Sequence, residues 1–247
     1  MLKRHVLILI FRVALLALAL FLYFSNKQVS FFTTYEMLNF TYIFHLGRGG
    51  VFLWIIWISL VITMLYRLFP NKLIAMGARK HYSCSFEGVN PGKPAGGNAP
   101  PKPENFNKGA FNSILGWFLI TGGVLIALRI AGLLSASAVL IIMLIFSVAD
   151  LVFIMFFCPF QRLFMHNKCC VVCRIYNWDY FMMCAPLIVF PSFYSLSLAL
   201  LSLAVVLRWE IAVIKNPHYF TEKYNTNLRC ENCGEQLCKM VLMGKRK

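Results

Sequence analysis

Long apolar runs, at about 6–24, 51–66, 112–130, 135–157 and 181–207, constrain this chain more than any other feature. A helix of roughly 20 apolar residues matches the hydrocarbon core of a bilayer. Composition agrees: 60% of the 247 residues are hydrophobic and 13% charged, against about 25% charged in an ordinary soluble domain. The sequence therefore predicts an all-α, multi-pass transmembrane helical bundle. The net charge of +15 is carried mostly between the apolar runs, where it marks cytoplasmic loops and attracts anionic lipid headgroups. Motifs that read nucleic-acid grooves are absent, so the predicted partners are the lipid bilayer and subunits of a membrane complex, with no nucleic acid.

Taken in order, the first run follows a basic start and lacks a small-residue cleavage site, which makes it an uncleaved first span. Arg12 inside it is expected to snorkel to the headgroups. The second run ends at 66, or at Leu68 at its longest; Trp54 and Trp57 are expected to act as interface anchors, and Arg67, Pro70 and Lys72 end it. Residues 70–110 form a Pro/Gly-rich, basic and irregular cytosolic loop. Spans three and four are a hairpin about the Ala131-Gly-Leu-Leu134 turn, with Gly122, Gly123, Ser135 and Ser137 permitting close packing. Arg129 near its outer end is also expected to snorkel.

The last apolar stretch admits two topologies. A single span over 181–207 would leave the two cysteine clusters on opposite sides and the basic tail outside. The preferred reading starts a fifth helix near Cys170, turns at Pro191-Ser192 and runs a sixth over about 193–213. That gives about six spans, both termini cytoplasmic, and a transmembrane domain over 1–214. A cytosolic C-terminal Cys-rich knuckle and basic tail over 215–247 joins the Cys-rich loop 158–174 as a small metal-binding cap.

Nine cysteines, several at Cys-x-x-Cys spacing, suit metal ligation on a reducing face better than disulfides. Cys230-Glu-Asn-Cys233-Gly can turn two thiolates toward one ion, and over those five residues it resembles one half of a zinc ribbon. Cys170 and Cys173 supply a second pair, with Cys169, Cys238 and His166 as further candidate ligands. On a helix, His166, Cys170 and Cys173 would share a face. Zinc is the preferred ion. An iron–sulfur cluster, or a dithiol made nucleophilic by Lys168 or Arg174, is the alternative and would make the protein a membrane oxidoreductase. Cys84 and Cys184 read as small buried hydrophobes; Cys158 is left open.

A carboxylate inside a span is costly unless paired, protonated or wetted. Asp150 lies about seven residues inside span four, and the six-span reading puts Asp179 at the same depth. With Arg174 they form a candidate intramembrane polar site, either an ion-paired structural core or a place that shares a proton or holds a cation. Arg174 could also stack on Trp178. Arg208-Trp209-Glu210 and His218 read as an interfacial belt. No nucleotide-binding glycine loop, Ser/His/Asp set or His-Glu-x-x-His occurs. The polar site and the cysteines together predict a transporter, carrier or complex subunit; an enzymatic activity has no motif behind it.

Overall fold

The computed structural model describes residues 2–25, 50–69, 104–156 and 178–215, and among them all regular structure is helical. The elements are α1 (Leu2–Phe24), α2 (Gly50–Leu68), α3 (Glu104–Ile130), α4 (Ala136–Met155), α5 (Asp179–Cys184) running into a 3₁₀ segment (Ala185–Val189), and α6 (Phe193–Lys215). α1, α3, α4 and α6 are long and apolar enough to cross a membrane; α2 and the α5–3₁₀ unit contribute shorter apolar helices. In hydrocarbon a helix satisfies its backbone donors and acceptors internally, so the apolar runs become rods whose ends need separate treatment.

Those ends are built by specific residues. At the end of α3 the Gly132 N–H donates to the Arg129 carbonyl at 3.1 Å and the Leu133 N–H to Leu128 at 3.0 Å. This paired closure needs a left-handed residue, and Gly132 supplies it at φ 72°. Ser135 then caps α4 by accepting from the Ala138 amide at 3.2 Å. α6 starts from a reciprocal serine cap. The Ser192 N–H donates to Ser195 Oγ (2.8 Å), the Ser195 N–H donates to Ser192 Oγ (3.1 Å), and Ser195 Oγ donates to the Phe190 carbonyl (2.9 Å).

The turn at Pro191-Ser192 falls where the sequence places it, but the helix before it is shorter than expected. Within the described residues it begins at Asp179 and tightens to 3₁₀ at Pro186, which cannot donate to the preceding turn. Its 6 α-helical and 5 3₁₀ residues advance about 19 Å, against a hydrocarbon core of about 30 Å. The expected start near Cys170 lies outside the described residues, as do the 70–103 part of the long loop, the 158–174 loop and the 216–247 tail.

Contacts fix how the helices run. Tyr194 Oη donates to the Leu53 carbonyl (3.3 Å) and Trp57 Nε1 to Ser197 Oγ (2.9 Å), joining the starts of α2 and α6. Their far ends meet through Trp178 and Asp179, so α2 and α6 are parallel and α5 runs against both. Ala110 and Ile114, early in α3, pack with Met182, and Arg129 at its end lies 4.3 Å over the Phe190 ring. The main apolar cluster of the core fully buries Met64, Leu140, Met143, Leu187, Leu198 and Val205, and Ala110, Ile114 and Met182 form a smaller one. α1 and α3 leave most of their apolar surface uncovered.

Two packing expectations change. Trp57 points into the bundle toward Ser197, and Trp54 packs edge-on against it at 5.3 Å, so both pack against the core. A Cβ placed on Gly122 or Gly123 would meet nothing within 4 Å; these glycines do not mediate the α3–α4 approach. Aromatic contact does, with Trp117 and Phe146 centroids 5.4 Å apart. The helix order predicts that glycosylation acceptors in the 131–134 turn and beside Ser192 report one side of the membrane. Reporters fused after Leu68 and Lys215 are expected on the other; a Leu68 fusion on the side of the 131–134 turn would contradict the order.

Candidate functional site

Near the end of the bundle where α2, α4 and α6 finish, four charged side chains from four helices collect. Arg67, in the last turn of α2, meets Asp179 in the first turn of α5 through two parallel bonds, NH1 to Oδ1 at 2.6 Å and NH2 to Oδ2 at 2.7 Å. Asp179 Oδ1 also accepts from the Tyr180 amide at 2.6 Å, a carboxylate at a helix start taking up an otherwise orphaned N–H. The Arg67 guanidinium lies 4.5 Å over the Tyr180 ring, adding a cation–π contact. Both side chains are buried, 6% and 8% exposed.

The second pair is looser. Arg12 on α1 donates NH1 to the Ser147 carbonyl at 2.6 Å and reaches Asp150 Oδ2 at 3.3 Å. Their side chains are 10% and 19% exposed. Asp150 and Asp179 are close enough for their charges to interact, and Cys184 is within range of both Arg12 and Asp179. Signs alternate along the set: Arg12, Asp150, Asp179, Arg67. At an effective dielectric near 20, unit charges about 4 Å apart attract by about 4 kcal/mol, which offsets part of the several kcal/mol lost when each ion leaves water. A third carboxylate sits at the edge, where Glu210 Oε1 accepts from Trp178 Nε1 at 2.9 Å.

The sequence-predicted residues divide accordingly. Asp150 and Asp179 come together, but the cations beside them are Arg12 and Arg67. Arg174, the expected partner, lies outside the described residues, and Trp178 is engaged with Glu210 and packs near Phe181. Arg12 does not snorkel: it is buried and turned into the bundle. Arg67, read as a helix stop, is the more deeply engaged arginine. Trp209, placed in an interfacial belt by the sequence, is buried in the core. Exposed Arg129 keeps its place at the opposite end, over Phe190. Cys184 is buried among apolar neighbours, as expected of a small hydrophobe.

His166, Cys169, Cys170, Cys173, Cys230, Cys233 and Cys238 all lie outside the described residues, with Cys84, Cys158 and His218. Among the described residues no three His, Cys, Asp or Glu side chains gather as a metal site. Compared with known protein families, with curated proteins and with solved structures, the chain finds no match.

The Arg67–Asp179 geometry makes a double-variant prediction. Arg67→Met and Asp179→Leu are each expected to cost about 3–5 kcal/mol, since either strands a buried charge. Thermal unfolding in detergent reads this loss. The double variant is expected to recover most of it, and one no more stable than the singles would mean the two side chains do not act as a pair.

Proposed function

We propose that this multi-pass membrane protein works as a subunit of a membrane complex, shaped by its intramembrane ion pairs and by zinc at its cytosolic face. The observation that supports a structural layer is that Asp150 and Asp179 each face an arginine from another helix. An open transport path would be expected to keep a carboxylate available for its cargo, whereas Asp179 has both oxygens engaged. The uncovered apolar faces of α1 and α3 offer surface to lipid or to neighbouring helices.

In this reading zinc is held by Cys170, Cys173, Cys230 and Cys233, with Cys169, Cys238 and His166 as alternates. Its role is to pin the C-terminal tail to the loop after α4, a closure of a long chain segment that is entropically costly unaided. The ligand set rests on spacing alone. Both termini and the cysteine loops face the cytoplasm, with α2 and the α5 region completing six crossings.

A carrier is the second reading, favoured by the single 3.3 Å contact of Asp150. Native mass spectrometry of protein extracted from its own membrane separates the two. The subunit reading expects a second polypeptide at fixed ratio; only the 28.3 kDa chain and its multiples would favour a carrier. Metal analysis with an absorption spectrum tests the cap, with about one zinc per chain and no visible colour expected. Absorbance near about 400 nm with bound iron would replace zinc by an iron–sulfur centre and favour an oxidoreductase.

A further inference from the structure

The ion pairs fix more than charge: they set the register between helices, and that register gathers sulfur. Met64 precedes Arg67 by three residues on α2, and Met183 follows Asp179 by four on α5. The two helices are antiparallel about the Arg67–Asp179 bonds. Both methionines therefore lie one turn, about 4.5–6 Å, from the charged layer toward the opposite end of the bundle. Their helix faces match as well. Met183 shares a face with Asp179 and Tyr180, the two residues that Arg67 touches, and Met64 shares one with Arg67.

On α4, Met143 lies one turn from Ser147 in the same direction, on the stripe that meets Arg12. Cys184 follows Met183 and is within electrostatic range of both Arg12 and Asp179, so it sits beside both ion pairs. Met64, Met143 and Cys184 are 0% exposed and Met183 3%, all within the main apolar cluster. One buried methionine is a gap-filler. Three of them with a thiol, at one depth on three helices, make a soft donor set. Thioether and thiol sulfur select ions such as copper(I), and offer nothing to calcium or magnesium, which need oxygen. The other two buried methionines among the described residues stand apart: Met182 packs with Ala110 and Ile114 of α3, and Met155 ends α4 beyond the layer.

We propose that Met64, Met143, Met183 and Cys184 form a site for a closed-shell monovalent soft cation, copper(I) or silver(I). The three thioethers donate lone pairs and stay neutral. At Cys184 the Sγ–H bond breaks, an Sγ–metal bond forms and the proton leaves to solvent, with no change of oxidation state. One positive charge enters as another departs, so the core gains no net charge and the cost of burying an ion is avoided. The site depends neither on the subunit reading nor on the cysteine cap.

Silver(I) is the probe, added as nitrate in chloride-free buffer to the full chain in lipid nanodiscs. The methionines carry ¹³C-methyl labels, and N-ethylmaleimide first blocks the accessible cysteines. A single equivalent is expected to shift the methyl signals of Met64, Met143 and Met183 and to leave those of Met155 and Met182 in place. Cys184→Ala should lower the affinity for silver by about tenfold or more. Met64→Leu, Met143→Leu and Met183→Leu nearly conserve volume and keep the fold; they assign the signals, and each should weaken binding. No shift in the three methyls, equal shifts in Met155 and Met182, or an affinity unchanged in Cys184→Ala or in all three leucine variants would overturn the proposal. Silver binding abolished by the maleimide treatment would put the metal on the accessible cysteines and overturn it too.

Discussion

A charge buried in an apolar bundle has to be neutralised where it sits, because water is not there to do it. In this protein that requirement is met by joining helices that are distant in sequence. Arg67 reaches Asp179 across more than a hundred residues, and Arg12 reaches the end of α4 across still more. Between apolar helices in lipid there is little hydrophobic force to choose one neighbour over another. Directional pairs make that choice, and here they set which ends of α1, α2, α4 and α5 come together.

The rest of the bundle follows from that layer. With the start of α5 clamped to the end of α2, and Trp178 bonded to Glu210 of α6, the short α5–3₁₀ unit is placed before its apolar residues pack. Met182 then meets the early part of α3, Leu187 enters the main core and Phe190 ends under Arg129. The serine cap after Pro191 turns the chain into α6, whose start meets α2 through Tyr194 and Trp57. One end of the molecule is organised by charge and the other by hydroxyl and indole groups.

The helices over about 6–24, 51–68, 112–130 and 136–155 and the turn at 131–134 were legible in the sequence; the start of α3 was not, because 104–110, read as the end of the irregular loop, is already helical. Apolar runs, Gly132 and Ser135 each act locally, and their effect is visible without knowing any neighbour. Asp150 and Asp179 were legible as costly residues needing relief, again a property of one position. Their partners were not legible. Arg12 lies about two turns inside the first apolar run and Arg67 at the end of the second, where snorkelling or a helix stop is the simpler local explanation; only the tertiary arrangement turns them inward. The glycines at 122 and 123 mislead for the same reason: small residues permit close approach without requiring it, and which face of α3 is covered is decided by Trp117 and its neighbours. The cysteine clusters are carried by spacing alone, which speaks to chemistry and not to where the two pairs lie.

Charge matching builds the bundle, and of the two matched carboxylates Asp179 is the more fully bonded. Solid-state NMR on the protein in lipid bilayers tests the matching most directly, with ¹³C-labelled aspartate and ¹⁵N-labelled arginine. The account predicts that guanidinium nitrogens dephase the carboxyl signals of both Asp150 and Asp179, most strongly at Asp179, where two nitrogens lie within 2.7 Å of the oxygens. An Asp179 carboxyl signal untouched by any arginine nitrogen would contradict it.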